Sequence, residues 1–312
     1  MNITIIGGAG FIGTNLAIEL SATNNNSIKI IDRSVTFFSK LIAMNLPGVS
    51  YEEGQFEVNS NFDEQVKGAD VVYHLASTNI PGTSNYHIAD ELESNVITST
   101  KLLDACVRQQ VKKVAFISSG GTVYGKKCTY PVSEDMVTYP ISSYGIQKLT
   151  IEKLLYLYRY QYGLDYRIIR LANPYGPYQR PNGKLGVVTT FVYQALTDGK
   201  LEVFGDGSIV RDFVYIDDAI KGIIRIANGT SEYRVFNLGS GLGISINEII
   251  QVIRNTVKND LDIFYVATRS ADVPVNYLDI SRYENHYGKL KPISLEEGIR
   301  RTSAFLKKEY DL

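Results

Sequence analysis

A glycine-rich loop near the start of the chain constrains the fold more than any other feature. Gly7-Gly8-Ala9-Gly10-Phe11-Ile12-Gly13 directly follows an apolar run at 4–6 and opens an amphipathic stretch at 12–21. In such a loop Gly7 allows a tight turn, Gly10 lets the backbone approach a pyrophosphate, and Gly13 permits close packing of helix on strand. The N-terminus of the helix then favours phosphate groups. The loop therefore predicts dinucleotide binding, with contacts from Gly7, Gly10, Phe11, Ile12 and Gly13.

An acidic residue at the end of the second predicted strand indicates which dinucleotide is bound. Asp32 follows Gly13 by about 20 residues, the spacing at which a carboxylate binds the adenosine ribose hydroxyls. Its charge would repel a 2′-phosphate, so NAD is favoured. Arg33, next to it, leaves NADP open.

Strand and helix patterns alternate through the first half of the chain. Short runs rich in β-branched residues predict strands, and amphipathic stretches between them predict helices. The predicted strands are 4–6, 28–31, 71–73, 114–117 and 166–171, and the helices are 12–21, about 91–110 and 143–162. This alternation predicts an α/β protein with a Rossmann-type, doubly wound parallel sheet.

The second half of the chain predicts a smaller α/β domain. From Asn173 onward the sequence is rich in Pro and Gly, with helical stretches at 188–197, 246–257 and 295–307. We place an NAD-binding domain at 1–172 and a substrate-binding domain at 173–312. Segments near 212–227 and 235–239 are expected to return to the first domain.

Composition and charge argue against several classes of protein. The chain has 32 basic and 33 acidic residues, so no patch for nucleic acid is expected. Two cysteines and three histidines show no ligand spacing, and no metal site is predicted. No apolar run approaches the roughly 20 residues that span a bilayer, and the start of the chain lacks a signal-peptide pattern. We expect a cytoplasmic protein without membrane contact.

Tyr144 and Lys148 form the candidate catalytic pair. Residues four apart on a helix project from one face, so the phenol would stand beside an ammonium group. The positive charge should lower the pKa of Tyr144 and suit it to general acid–base catalysis. A solvated helix face would show the same spacing.

Further motifs follow in an order that resembles a known family. These motifs are His74-Leu75-Ala76, Ser118-Ser119-Gly120-Gly121-Thr122-Val123-Tyr124-Gly125, Arg170-Leu171-Ala172-Asn173-Pro174-Tyr175-Gly176, Phe204-Gly205-Asp206-Gly207, Arg211-Asp212-Phe213-Val214 and Arg269-Ser270-Ala271-Asp272. Together with the glycine loop and the Tyr/Lys pair, they make the chain similar, essentially end to end, to the extended short-chain dehydrogenase/reductase family. Within it, the chain resembles the nucleotide-sugar 4-epimerases of the UDP-glucose/UDP-galactose type.

The resemblance implies a role for each cofactor and catalytic residue. Tyr144 would remove the sugar O4 proton while hydride passes from C4 to NAD⁺, and Lys148 would hold the nicotinamide ribose. The 4-keto sugar would then turn over and take the hydride back, so NAD stays bound. The other implied cofactor residues are Leu75, Ala76, Asn95, Ser118 and Gln55, the last standing where the family commonly has an Asp near the adenine.

The sequence departs from the family at Gly120, where a Ser or Thr hydroxyl usually bonds the sugar O4. Thr122 lies on the same side of an extended segment as Gly120 and is our candidate for this hydroxyl. Ser119 also carries a hydroxyl, and a water in the space left by Gly120 is a further alternative.

The resemblance also implies a substrate site for a UDP-sugar. Arg211 and Arg269 would bind the diphosphate, Asp272 the ribose or Arg269, and Phe204 the uracil ring. The backbone at Val187 and Val188 would read the base edge, and Asn173 would contact the sugar. Asn276, of intermediate size, leaves glucose and N-acetylglucosamine open, and Arg180 leaves a glucuronate substrate open.

Alternative functions remain on the same fold. A 4-ketoreductase would use the same site but exchange its cofactor. A dehydratase is disfavoured because that branch has Asp-Glu where this chain has Gly121-Thr122, and a non-catalytic sensor is disfavoured because the Tyr/Lys pair is kept. A homodimer is expected, with the helices near 91–110 and 143–162 forming a four-helix bundle.

Overall fold

The structure is a computed structural model that describes residues 1–23, 25–79, 84–126, 128–181, 186–257, 260–267 and 273–312. The strands are β1 (Asn2–Ile6), β2 (Ser27–Asp32), β3 (Val49–Glu53), β4 (Val71–His74), β5 (Lys113–Ser119), β6 (Asp165–Leu171), β7 (Asn173–Tyr175), β8 (Lys200–Phe204), β9 (Val210–Arg211), β10 (Phe213–Tyr215), β11 (Val235–Leu238), β12 (Ile244–Ser245), β13 (Asp262–Val266) and β14 (Val275–Asn276). The helices are α1 (Phe11–Ser21), α2 (Val35–Ala43), α3 (Phe62–Val66), α4 (Ile88–Leu92), α5 (Thr98–Arg108), α6 (Ser143–Tyr162), α7 (Val187–Leu196), α8 (Ile216–Asn228), α9 (Ile246–Val257), α10 (Ser281–Tyr287) and α11 (Leu295–Tyr310).

A parallel sheet of seven strands forms the centre of the first region. Its order is β3-β2-β1-β4-β5-β6-β11. Ile5 packs into one hydrophobic core and its neighbour Ile6 into the other, because successive side chains of a strand point to opposite faces. Side chains of α1 and α8 join the first core, and those of α3, α5 and α6 join the second. The prediction of a Rossmann-type doubly wound sheet is confirmed.

The strand order changes direction at β1, which places a binding crevice at one edge of the sheet. The chain runs from β1 outward through β2 and β3, and then returns to β4 on the other side of β1. Ligands of open α/β sheets bind outside the carboxyl ends of the strands at such a point. The carboxyl ends of β1, β4 and β5 lead into Gly7, Leu75 and Gly120, so three predicted site segments meet at this edge.

The long helix predicted at about 91–110 is interrupted. A π-helical turn, Glu93–Ile97, separates α4 from α5. Asn95 lies buried in this turn and donates from its amide to the Glu91 carbonyl at 3.1 Å and to the Thr78 hydroxyl at 2.7 Å. Hydrophobic periodicity did not reveal the turn, because the partner of Asn95 on the loop after β4 is distant in sequence.

The second region is built from short strands and three mutually packed helices. Strand β7 pairs with β10, β8 with β13, and β9 with both β12 and β14. Helices α7, α9 and α11 contact one another and share a hydrophobic core with the α1 face of the large sheet. Strand β11 pairs with β6 and α8 packs against both. The boundary between residues 172 and 173 stays a prediction.

Asp212 joins the second region to the edge of the large sheet. Its buried carboxylate accepts hydrogen bonds from the Ser240 backbone and hydroxyl, both at 2.7 Å, and from the backbone N–H groups of Gly241 and Leu278. Its carbonyl accepts from the backbone and side-chain amides of Asn173. One buried residue thus fixes the segments that follow β11, β14 and β6.

Candidate active site

The glycine loop has the geometry of a phosphate cradle. Gly7 has a φ of +79°, and a Cβ there would lie 2.8 Å from the Ala76 backbone. A Cβ on Gly13 would lie 2.4 Å from the Gly8 carbonyl oxygen, whereas one on Gly10 would meet nothing nearer than 3.7 Å. Gly10 begins α1 without a side-chain cap. The first-turn N–H groups, including those of Phe11 and Ile12, have no partner within the helix and remain suited to a phosphate.

Asp32 supports this loop and also points toward the cofactor region. Its Oδ2 accepts a hydrogen bond from the Ala9 N–H at 3.0 Å, and its Oδ1 accepts one from the Arg33 N–H at 2.8 Å. Each oxygen keeps a further lone pair for a ribose hydroxyl. The Gln55 amide donates to the Arg33 carbonyl at 3.0 Å, so Gln55 lies beside the predicted adenosine site. These residues fit an NAD molecule.

The loop after β4 closes the other side of the cradle. Ala76 faces Gly7, and the Leu75 N–H donates to the Ile6 carbonyl at 3.0 Å. Asn95 accepts from the Thr78 N–H at 2.9 Å. Through this bond and those to Glu91 and the Thr78 hydroxyl, Asn95 holds this loop against the π-helical turn.

Tyr144 and Lys148 lie on one face at the start of α6, as the spacing predicts. Ser142 begins the helix and accepts a hydrogen bond from the Gly145 N–H at 3.1 Å. The Lys148 Nζ lies 5.6 Å from the Tyr144 ring centroid and donates to the Ile117 carbonyl at 3.0 Å. The lysine is only 6% exposed and also lies over the Phe116 ring. The pair is therefore held against the carboxyl end of β5.

The prediction that Lys148 lowers the pKa of Tyr144 is wrong in this structure. Burial raises the pKa of Tyr144 to about 12. Burial also lowers the pKa of Lys148 to about 8, against an opposing effect from Glu152. Desolvation disfavours the charged form of both groups, and for the phenol it outweighs the nearby ammonium. Burial therefore favours the neutral form of the Tyr144 phenol.

The hydroxyl groups of Ser118, which was predicted to contact the cofactor, and of the two O4 candidates, Ser119 and Thr122, differ in their surroundings. The Ser118 hydroxyl is buried and donates to Glu152 at 2.5 Å, so any cofactor contact of Ser118 would use its backbone. Ser119 is half-buried at the end of β5. The Thr122 Oγ1 is buried and has no hydrogen-bond partner among the residues that the structure describes. A buried hydroxyl without a partner is costly, which indicates a ligand for Thr122.

The alternative of a water beside Gly120 is wrong. A Cβ on Gly120 would lie 2.6 Å from Leu278 Cδ1 and 3.0 Å from the Arg170 carbonyl oxygen. The Leu278 side chain, fully buried, therefore fills the space that a serine or threonine would occupy. No room for a water is left at this position.

The predicted sugar and diphosphate residues lie on the segments that face this edge. Asn276 is 2% exposed and its amide donates to the Gly120 carbonyl at 3.3 Å, so it stands beside the loop that follows β5. Arg211 on β9 is half-buried and donates to the Val273 carbonyl at 2.6 Å. Asn173 is held by Asp212, as described above. Arg269 and Asp272 lie outside the described residues.

The predicted base-binding residues lie at the ends of their elements. Phe204 ends β8 and is half-buried. Val187 and Val188 begin α7 after Gly186, which has a φ of +79°. The Val188 side chain is fully buried in the core, so Val188 could contact a base only through its backbone.

Arg180 lies on the cofactor side of the site. It lines a small cavity together with Ala9 and Thr14 of the glycine-loop region and with Lys40 and Tyr310. Because Ala9 belongs to the phosphate cradle, this arginine stands near the cradle. A contact with a sugar carboxylate stays a prediction.

A buried carboxylate that the sequence reading missed holds the start of α6. Glu91 accepts hydrogen bonds from the Ser143 hydroxyl at 2.5 Å, the Gln147 amide at 3.0 Å and the Asn85 N–H at 3.2 Å. Ser143 immediately precedes Tyr144 in the sequence, and Gln147 immediately precedes Lys148. The spacing of four between Ser143 and Gln147 was the available signal, but nothing in the pattern pointed to Glu91.

Two features are absent from the described ranges. In them, no three His, Cys, Asp or Glu side chains come together as they would around a metal ion. Nor does any helix within these ranges combine the length and the apolar character needed to cross a membrane.

The glycine cradle, the acid at the end of β2 and the Tyr/Lys pair define an NAD-binding enzyme of the extended short-chain dehydrogenase/reductase class. Residues 3–239 match the sequence model of the NAD-dependent epimerase/dehydratase family. The chain belongs to this family, and the sequence-based predictions of family and of NAD as cofactor are confirmed.

Individual relatives are similar to this chain over nearly its whole length. A putative UDP-glucose 4-epimerase from Methanocaldococcus jannaschii is 32% identical over 98% of both chains. The crystal structure of UDP-glucose 4-epimerase from Thermotoga maritima with UDP-glucose has a TM-score of 0.91 and 31% identity, covering 99% of this chain and 100% of that one. UDP-glucuronic acid 4-epimerase from Bacillus cereus, with UDP-glucuronic acid and NAD, has a TM-score of 0.90 and 27% identity over 99% and 100% of the two chains.

Proposed function

We propose that this protein catalyses the reversible C4 epimerisation of a UDP-hexose of the glucose/galactose type, through a transient 4-keto sugar. It is accordingly an NAD-dependent isomerase of the UDP-sugar 4-epimerase group. The observation that carries the proposal is the buried Thr122 hydroxyl, which has no partner among the described residues. It lies three residues after the end of β5, the strand whose Ile117 carbonyl accepts a hydrogen bond from Lys148. The full-length similarity to UDP-sugar 4-epimerases supports the same reaction.

The residues of the site divide the work of the reaction. Tyr144 would accept the proton of the sugar O4, and Thr122 would hydrogen-bond the same oxygen. Lys148 would hold the nicotinamide ribose and stabilise the phenolate. Bound NAD⁺ supplies a hydride acceptor and a second positive charge near Tyr144. Positive charge brought beside the phenol would oppose the burial that raises the pKa of Tyr144 to about 12. When the hydride returns to C4 on the other face of the sugar, Tyr144 would give the proton back to O4.

The sugar is the open part of the proposal. Asn276 stands against Gly120, where a bulky N-acetyl group would compete with the side chain for space. Arg180 stands near the phosphate cradle, which favours a neutral sugar over glucuronate. We therefore propose UDP-glucose and UDP-galactose as substrates, with UDP-N-acetylglucosamine and UDP-glucuronate as alternatives. A cytoplasmic location stays a prediction from the sequence.

Retention of the cofactor tests the reaction class. Purified protein, denatured after gel filtration, is expected to release about one NAD per chain, because an epimerase reduces and reoxidises the same molecule in every cycle. It should also interconvert UDP-glucose and UDP-galactose without added cofactor. UDP-N-acetylglucosamine and UDP-glucuronate, assayed side by side, complete the test. Protein that is purified without bound nucleotide and turns over only with added NAD(P)H would instead be a 4-ketoreductase.

We also propose a homodimer formed through α5 and α6. An exposed stripe on α6 contains Ile146, Leu157 and Tyr160, which are 47%, 43% and 81% exposed and lie on one helical face. Ile97, at the start of α5, is 47% exposed beside it. Two copies would cover these side chains as a four-helix bundle. Light scattering should give twice the chain mass of 34.8 kDa. Leu157→Arg should give the monomer mass, and a wild-type monomer would contradict the proposal.

A further inference from the structure

A row of buried polar side chains crosses three strands beneath the catalytic pair. Ser118 on β5 pairs in register with Arg170 on β6, which pairs in register with Asn237 on β11. Side chains at one register position of neighbouring strands point to the same face of a sheet. All three are buried. Polar residues in the middle of a core are kept only where they bond one another.

Glu152 on α6 lies over the first half of this row. Its Oε1 accepts from the Ser118 hydroxyl at 2.5 Å, and its Oε2 accepts from Arg170 Nη2 at 2.7 Å. The Nε of Arg170 lies 3.1 Å from Oε1, which completes a forked ion pair. Glu152 is only 3% exposed. A forked pair of this kind fixes the carboxylate in one orientation.

The row continues to the substrate side of the molecule. Arg170 Nη1 donates to the Tyr124 hydroxyl at 3.0 Å, and that hydroxyl donates to Asn237 Oδ1 at 2.6 Å. The Asn237 amide donates to the carbonyls of Val132, at 2.8 Å, and Asp279, at 3.1 Å. Asp279 follows the leucine that fills the space beside Gly120. The network thus joins α6 to the wall of the predicted sugar pocket.

The same network reaches Lys148 from two directions. Glu152 lies one helical turn after Lys148 on α6, and its negative charge opposes the burial that lowers the lysine pKa to about 8. Ser118 follows Ile117, whose carbonyl accepts a hydrogen bond from the Lys148 Nζ. Among the described residues, the other titratable groups facing Lys148 are Tyr144 on α6 and His74 on β4, and burial holds the pKa of His74 near 3. Glu152 is therefore the negative charge that acts on the lysine.

We propose that Glu152 is a positioning residue for Lys148, its carboxylate keeping the ammonium charged while Ser118 and Arg170 hold that carboxylate in place. This inference rests on the proposed function, which gives Lys148 the task of holding the nicotinamide ribose. Arg170 neutralises part of the carboxylate charge but, by the fork, prevents it from turning away. The site therefore depends on a residue that itself touches neither sugar nor cofactor.

Exchange of bound NAD against pH tests the proposal without using turnover. The rate at which the purified protein exchanges its NAD for isotopically labelled NAD is measured from pH 7 to 10. In wild type the rate should rise about tenfold as Lys148 loses its proton and its hydrogen bonds to the ribose. In Glu152→Gln the midpoint of that rise should lie about one pH unit lower. A nearby negative charge raises the pKa of a lysine by about that amount, and the substitution removes this charge. The pH profile of kcat should move in the same direction.

Glu134→Gln is the matched control. Glu134 is also largely buried and bonds the Asn237 N–H and Arg282, but it makes no contact with Lys148. Its exchange midpoint should equal that of wild type. An unmoved midpoint in Glu152→Gln, or an equal shift in Glu134→Gln, would overturn the proposal. Should the single variant not fold, Glu152→Gln/Arg170→Met removes both charges. Its midpoint is expected to lie below that of wild type by less than about one pH unit, because Arg170 neutralises part of the Glu152 charge. A wild type that binds NAD but turns over no UDP-sugar would overturn the proposed function alone.

Discussion

Replacing Tyr144 with phenylalanine is expected to lower kcat by at least about 10³-fold while NAD stays bound. The substitution removes only the hydroxyl that would carry the O4 proton, and general acid–base catalysis contributes about 10²- to 10⁴-fold. The ring keeps its packing beside Lys148, whose Nζ lies 5.6 Å from the ring centroid. Turnover of UDP-glucose and the NAD content per chain, measured on the same preparation, check this result.

Tyr156→Phe is the control for this substitution. Tyr156 lies on the same helix, is 64% exposed and should tolerate loss of its hydroxyl without effect on kcat. A Tyr144→Phe enzyme that retained a tenth or more of wild-type turnover would show that another group moves the proton. It would also revive the reading of the chain as a nucleotide-binding protein without this chemistry.

Replacing Thr122 with valine is expected to lower kcat by about 10²-fold and to leave the protein at least as stable as before. Valine has nearly the shape of threonine but no hydroxyl, so the sugar O4 would lose one hydrogen bond in the transition state. In the free protein the Thr122 hydroxyl is buried without a partner in the described structure, so its removal leaves no protein group unsatisfied. Steady-state kinetics and urea unfolding of the nucleotide-free protein measure the two effects.

Ser119→Ala separates the two remaining hydroxyl candidates. Ser119 is half-buried at the end of β5, and its loss should change kcat by less than about threefold if Thr122 is the partner of O4. A larger loss in Ser119→Ala than in Thr122→Val would assign the role to Ser119. A third variant adds Gly120→Ser and Leu278→Ala to Thr122→Val. It should recover part of the turnover, because the smaller residue at 278 makes room for the new side chain.

The cofactor half of the site could be predicted well because it depends on short-range chemistry. Gly7 and Gly13 are required by a tight turn and a close approach, and Asp32 is placed for its predicted ribose contact within the same strand–loop–helix–strand unit. Tyr144 and Lys148 are one helical turn apart, so their common face follows from the period of the helix. In each case the partner lies a few residues away or in the next element.

The substrate half of the site was less predictable because its partners come from distant parts of the chain. Nothing near Gly120 indicates that Leu278 fills the space beside it. The pKa of Tyr144 also depends on how much of the fold surrounds the phenol, and burial raised it where local charge alone predicts a decrease. Glu91 and Glu152 bear on the pair through contacts that no spacing reveals.

The sequence alone determined the parallel sheet, the glycine cradle, the acid at the end of β2 and the helical face that carries the phenol and the ammonium. Those features follow from periodicity and from the stereochemistry of single residues. The tertiary structure decided which hydroxyl lacks a partner, what occupies the space beside Gly120 and whether Tyr144 is ionised. These properties depend on burial and long-range packing, which arise only when β5, α6 and the segment after β14 come together.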